Sequence, residues 1–216
     1  MRLLVLNYEY VPVGGKSGII TKEIAEALLN RGHKISIVTT WYDGEPENYR
    51  DGDLHLIRVR SRRKNKSTSN PLEMLSWISK SKKFLEDHLK TEKYDLCIAN
   101  FALPGGEVAY SMKLLYKLPY VVITYGYDIP WLFPEKMMWY HAVTYHWIRK
   151  ICLQSEQNYV PSLDMKSNMD SFLGNKFSNK NKFIPYVEFE NRDEIINEFE
   201  NDFDRIVFRS NFINSI

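Results

Sequence analysis

Short apolar runs rich in β-branched residues alternate along this chain with longer stretches of helix-period sequence, and that alternation constrains the fold most. The runs are Arg2–Leu6, Lys34–Thr40, Leu54–Val59 and residues 95–100, 120–125, 158–160 and 183–185. Helices are expected over residues 18–31, 71–89, 105–118 and 135–153. In the first of them Ile20, Ile24 and Leu28 recur every fourth position and share one face, and Gly32 supplies the stop. Pro71 suits a first helical turn. Strands that alternate with helices of this length are joined by right-handed βαβ crossovers. The expected fold class is therefore α/β: a doubly wound, mostly parallel, Rossmann-like sheet over about residues 1–187, with helices on both faces.

With 44% hydrophobic and 26% charged residues in 216, the chain can bury a sizeable core in one domain or slightly more. A disordered, collagen-like or disulfide-framework protein is excluded. The apolar runs fall far short of the roughly 18 residues a membrane span needs. The N-terminal segment reads as a strand, not a signal peptide. Cys97 and Cys152 fall in an expected strand and an expected helix, which suits reduced thiols. A soluble, cytoplasmic protein is expected, with peripheral contact at a membrane as an addition to that reading.

The net charge of +2 conceals an asymmetry: residues 188–204 hold eight acidic residues and one basic residue, Arg192. The rest of the chain carries 28 basic against 19 acidic residues, a charge of +9. A basic body attracts phosphates, nucleotides or an anionic membrane surface. The acidic segment reads as a linker or helix. Residues 204–209 (DRIVFR) read as a strand, and 205–216 as the start of a second, truncated domain.

Ligands of doubly wound sheets sit beyond the carboxyl ends of the strands, so the loops there hold the candidate residues. Gly14 and Gly15 stand directly before a helix, where glycine allows close backbone approach and free N–H groups favour an anion; the plain alternative is a flexible turn. A P-loop is excluded because Tyr10 occupies its first glycine position. A nicotinamide fingerprint is excluded because the second strand ends in Thr39-Thr40-Trp41, without an acidic residue. After the run at 120–125, Tyr125 and Asp128 can hydrogen-bond hydroxyls and are the candidate catalytic residues, Asp128 as acceptor of a nucleophile's proton, while Gly126 leaves room for approach; alternatively Asp128 only caps a turn. Asn100 and Gly105 mark a third loop at the same edge.

Arg58, Arg60, Arg62, Arg63 and Lys64 precede an aromatic amphipathic helix. They are candidates for an anion or membrane patch, or else a solvated flank of a packed helix. No nucleic-acid motif accompanies them. His141 and His146 are five apart on a helix and face different directions, so no metal site is expected. Glu190 and Glu198 read as a solvated face, not a catalytic pair.

Pro12-Val13-Gly14-Gly15, the helix with Ile24-Ala25 and Leu28, and the Arg31-Gly32-His33-Lys34-Ile35 turn resemble the N-terminal half of family-4 glycosyltransferases. Leu103-Pro104-Gly105-Gly106 and Gly126-Tyr127-Asp128 fall where that family has similar segments. Ile184-Pro185-Tyr186-Val187 resembles its interdomain linker, and Ile206-Val207-Phe208 the first strand of its second domain. The resemblance implies one acceptor-side half of a GT-B enzyme, retaining and dependent on a nucleotide sugar. It implies a glycan or lipid-linked acceptor, and no resident cofactor, the donor being a co-substrate. Gly14 and Gly15 would lie near the donor diphosphate and acceptor. The family usually has His-Gly where this chain has Tyr125-Gly126, which leaves hydrogen bonding but no imidazole chemistry. The donor-side domain falls outside the match, so turnover by this chain alone is not expected. A non-catalytic binding or partner module, or half of a split enzyme, is the other reading.

Overall fold

The structure is a computed structural model that describes residues 1–130, 132, 134–186 and 191–214. Among these residues the strands are β1 (Arg2–Leu6), β2 (Lys34–Thr40), β3 (Asn48–Asp51), β4 (Leu54–Val59), β5 (Leu96–Asn100), β6 (Tyr120–Ile123), β7 (Gln157–Val160) and β8 (Asn181–Phe183). The helices are α1 (Lys16–Asn30), α2 (Pro71–Thr91), α3 (Glu107–Tyr116), α4 (Pro134–Gln154), α5 (Leu163–Leu173) and α6 (Arg192–Asn214). The strands form one sheet in the order β3-β4-β2-β1-β5-β6-β7-β8. Only the β3–β4 pair at one edge is antiparallel. The expected doubly wound α/β sheet is thus present, with its topological switch between β1 and β5, which pair directly.

Alternation along each strand divides the core in two. Leu4 and Leu6 of β1 point to the side covered by α2, α3, α4 and α5, while Leu3 and Val5 point to the side covered by α1 and α6. Both faces of β1 and β5 are buried, which is why their sequences are continuous apolar runs.

The largest departure from expectation is at the C-terminal end. Residues 204–209 are not a strand but part of α6. Ile195, Phe199 and Phe203 recur at helical spacing and are buried on the sheet, so tertiary burial outweighs the local β-branched bias of Ile206-Val207. The acidic residues of this segment have specific partners. Arg31 pairs with Glu200 and Asp193, and His33 with Glu200 at 2.8 Å. Asp202 accepts from Tyr159 at 3.2 Å and pairs with Lys182. Residues 192–204 of the acidic segment are helical, within α6. Val187 and Glu190 lie outside the described residues, and so do parts of the expected linker.

Candidate functional site

Three loops leave the carboxyl ends of β1, β5 and β6 at the switch point. A buried hydrogen-bond network ties them together beneath the surface. Asn7, next after β1, donates to Thr21 on α1 at 2.8 Å, and Thr21 lies 2.9 Å from Asn100, the last residue of β5. Tyr125, two residues past β6, donates its phenol proton to Asn100 at 2.6 Å. Asp128 completes the brace from above: its two carboxylate oxygens accept the backbone N–H of Tyr125 at 3.0 Å and of Ala102 at 3.1 Å. Two loops far apart in sequence are thereby clamped through one side chain.

Above this network lies an open cleft of about 650 Å³. Tyr8, Glu9, Gly15 and Ser17 line it from the first loop and α1, Phe101 and Leu103 from the second loop, and Tyr125 and Asp128 from the third. Gly15 faces it directly: a Cβ there would meet nothing within 4 Å. Gly15 is also the N-cap of α1, with no side-chain cap and no acidic residue in the first turn, so the helix start favours an anion on that wall. Gly14 does a different job. Its φ is +86°, a Cβ would fall 2.4 Å from that of Glu9, and its N–H is spent on the Lys66 carbonyl at 2.8 Å. It shapes the loop.

The remaining sequence candidates divide between the cleft and the core. Tyr125 presents its ring to the cleft, 4.8 Å from the ring of Phe101. Burial raises the pKa of its phenol, so it stays neutral at physiological pH and serves as a hydrogen-bonding group. Asp128 is 4% exposed; burial raises its carboxyl pKa too, and the backbone donors offset this only in part. Its oxygens are already engaged, so its first role is to hold the cleft together. Asn100 and Gly105 are corrected: neither faces the cleft. Asn100 is 1% exposed with its amide committed internally, and a Cβ at Gly105 would lie 2.3 Å from the Asn100 carbonyl oxygen. The glycine is required by backbone packing, not by ligand approach. Gly126 is buried and turns the chain at φ +99°.

The basic patch is corrected in part, at Arg58 and Arg63. Arg58 is buried and paired with Glu45 at 2.7 Å, and Arg60 stacks on Trp41 and pairs with Glu47 at 2.5 Å. The Arg63 side chain is buried over the Tyr8 ring, 3.7 Å from Glu9. Arg60, Arg62 and Lys64 of the five remain exposed, while Arg58 and Arg63 are drawn in beside Glu45 and Glu9. His141 is buried and donates its Nε2–H to the Tyr127 carbonyl at 2.9 Å. Among the described residues no cluster of histidine, cysteine or carboxylate is arranged to hold a metal.

Sequence reasoning passed over Glu9, Ser17 and Phe101. Phe101 has φ +64°, a left-handed backbone that a bulky residue adopts only under constraint, and it stands at the cleft wall. Nothing in its residue type signals this.

The sequence profile of Glycosyltransferase Family 4 matches residues 17–181. No curated protein matches by sequence. Among solved structures, the chain is similar to sucrose-phosphate synthase from Thermosynechococcus elongatus, with TM-score 0.71 at 13% identity over 86% of this chain and 48% of that one. It is similar to the catalytic domain of starch synthase IV from Arabidopsis thaliana bound to ADP and acarbose, with TM-score 0.60 at 14% identity over 85% of this chain and 51% of that one. A UDP-N-acetylglucosamine 2-epimerase from Rickettsia bellii gives TM-score 0.55 at 13% identity over 93% and 48% of the two chains. At such identities these likenesses show the fold alone, one Rossmann-like half of the GT-B type, and this chain spans about half the length of each of those structures. The profile match covers most of the chain and separates what the fold leaves together: the chain belongs to Glycosyltransferase Family 4.

Proposed function

We propose that this chain is the acceptor-side half of a glycosyltransferase that moves a sugar from a nucleotide-sugar donor to a glycan or lipid-linked acceptor. The observation that carries the reading is the convergence of three strand-end loops on one open cleft whose wall at Gly15 has no side chain. The uncapped start of α1 suits a phosphate of the donor or acceptor, and Glu9 and Ser17 suit sugar hydroxyls. The starch synthase structure, with ADP and acarbose bound, supports a nucleotide and a saccharide as the ligand classes. No described side chain stands out as a catalytic acid or base. Asp128 positions the loops, and Tyr125 offers only a neutral hydroxyl. Charge developing at the reacting sugar would then be met by the helix start and by a second Rossmann unit forming the opposite wall.

A second reading follows from the chain's span of about half of the compared structures: a binding module or split half that works with a separate donor-side polypeptide. One series of measurements tests both. Titration with UDP-, ADP- and GDP-sugars should give binding that Gly15→Trp weakens at least about tenfold, because an indole there fills the cleft without strain in the fold. Equal binding by wild type and variant defeats the assignment of the cleft. Turnover that begins only when a donor-side polypeptide is added would establish the split form.

A further inference from the structure

A second depression, of about 440 Å³, runs between α2 and α4. Pro71, Met74 and Ile78 form one wall and Trp139, Val143 and Trp147 the other, each set repeating at helical spacing. Trp139 is 81% exposed and Val143 85%, and Leu75 on the opposing helix is 46% exposed. Apolar side chains this exposed and this clustered mark a binding surface.

Three observations identify its occupant. First, the groove is continuous with the cleft: Pro71, Met74, Leu103, Pro104 and Tyr140 line both. Second, its far end is closed by a polar group, where Trp147 Nε1 donates to Glu107 at 2.5 Å and Glu107 pairs with Lys82. Third, the two carboxylates at the cleft end are engaged, Glu9 by Arg63 and Asp128 by backbone N–H groups, and the groups around them are basic. Lys16 and the uncapped first turn of α1 form the cleft wall. The 62–66 loop, with Arg62, Lys64 and Lys66, is held beside it by the Gly14 N–H to Lys66 carbonyl bond of 2.8 Å. An apolar slot that opens from a cleft with basic groups around it and stops at a polar group fits a molecule with an anionic head and a hydrocarbon tail. An extended peptide fits it poorly, since the almost wholly apolar lining offers its backbone few partners.

We propose that the α2–α4 groove seats the hydrocarbon chain of a phosphate-linked lipid acceptor, whose head lies in the cleft. This rests on the acceptor-side reading above and narrows its acceptor to the lipid-linked class. The α2 wall from Pro71 to Ile78 is about 10 Å long, so the groove takes the first segment of the chain and leaves the rest outside.

Titration of the full chain with n-butyl, hexyl, octyl and decyl monophosphate, below their micellar concentrations, tests the assignment. Affinity should rise up to about fourfold per added methylene and then level off as the groove fills. Val143→Glu and Leu75→Glu, both at exposed positions, should flatten the series, while Leu114→Glu, exposed on α3 away from the groove, should leave it intact. A flat series in wild type, or an undiminished one in Val143→Glu, overturns the proposal. So does binding to phosphatidylglycerol vesicles without binding to monomeric alkyl phosphates, which would make the face a membrane-surface contact. A wild-type dimer in sedimentation that Val143→Glu dissociates also overturns it, since the face would then be an interface between copies. Nucleotide-sugar titration is read separately: its failure beside an intact alkyl series removes the donor reading and leaves the groove.

Discussion

The seam between α6 and the sheet and the seam between α2 and α4 both consist of apolar side chains at helical spacing, yet one is closed and the other open. At α6, Ile196, Phe199 and Phe203 are fully buried against Tyr159 and Tyr186, and the flanking charges of Arg31, Glu200, Asp193 and Asp202 find partners. At α2–α4, the outer members of the stripe stand in solvent. A stripe matched by a facing sheet is core; a stripe matched only by another stripe across a gap stays open to solvent. The two look alike in sequence and differ in what stands opposite.

The sharpest way to break this contrast is to cut into the closed seam. Phe199→Ala should cost about 3–5 kcal/mol, because the ring fills space between Tyr159 and Phe203 that cannot collapse. Its urea midpoint should fall well below that of wild type; an unchanged midpoint would mean α6 is merely laid on the sheet. Next comes Asp202→Ala, which leaves the buried Tyr159 hydroxyl without its acceptor and should cost about 1–3 kcal/mol. Lys182 and Arg205, partly exposed, regain water when the carboxylate is removed, which keeps the figure below that of a fully buried pair.

A smaller effect tests the charged edge of the same seam. Burial pushes the Glu200 carboxyl up, but hydrogen bonds from His33 and Arg31 outweigh it and hold its pKa below the usual 4.5. A depressed carboxylate contributes stability above its unfolded pKa and loses it as pH falls through the folded one. Glu200→Gln should therefore be less stable than wild type at pH 6, by about 1–2 kcal/mol, with the gap narrowing toward pH 3. A gap that stays constant with pH would show that the ion pair is not its source. The smallest effect belongs to the open seam. Trp139→Glu should change thermal stability by no more than about 0.5 kcal/mol, since the side chain is already in solvent. A large loss there would mean that Trp139 belongs to the core.

Much of the fold was legible because local pattern and tertiary environment agree. The runs that became β1, β5 and β6 are largely apolar on both faces, as strands buried between helices must be. Pro71 marks the start of α2, and the structure adds a complete capping box there: Asn70 accepts from the Glu73 N–H at 3.0 Å and Glu73 reaches back to accept from the Asn70 N–H. Where the two disagree, the reading failed. Ile206-Val207-Phe208 has a strand's composition, but the longer stripe from Ile195 to Phe203 needs a helix to reach the sheet. The short edge strand β3 is exposed throughout and leaves no apolar signature.

The sequence alone determined the doubly wound sheet, because periodicity and turn residues are local properties, and the resemblance of its motifs pointed to the family. Only the tertiary structure decided which residues of the strand-end loops line the open cleft. Gly15 and Gly105 are the same residue type in similar loops, yet one faces an open cleft and the other the Asn100 carbonyl oxygen. Arg58 and Arg62 carry the same charge a few residues apart, yet Glu45 neutralises one and leaves the other in water. A side chain's surroundings depend on segments distant in the chain, and those are set only when the sheet closes.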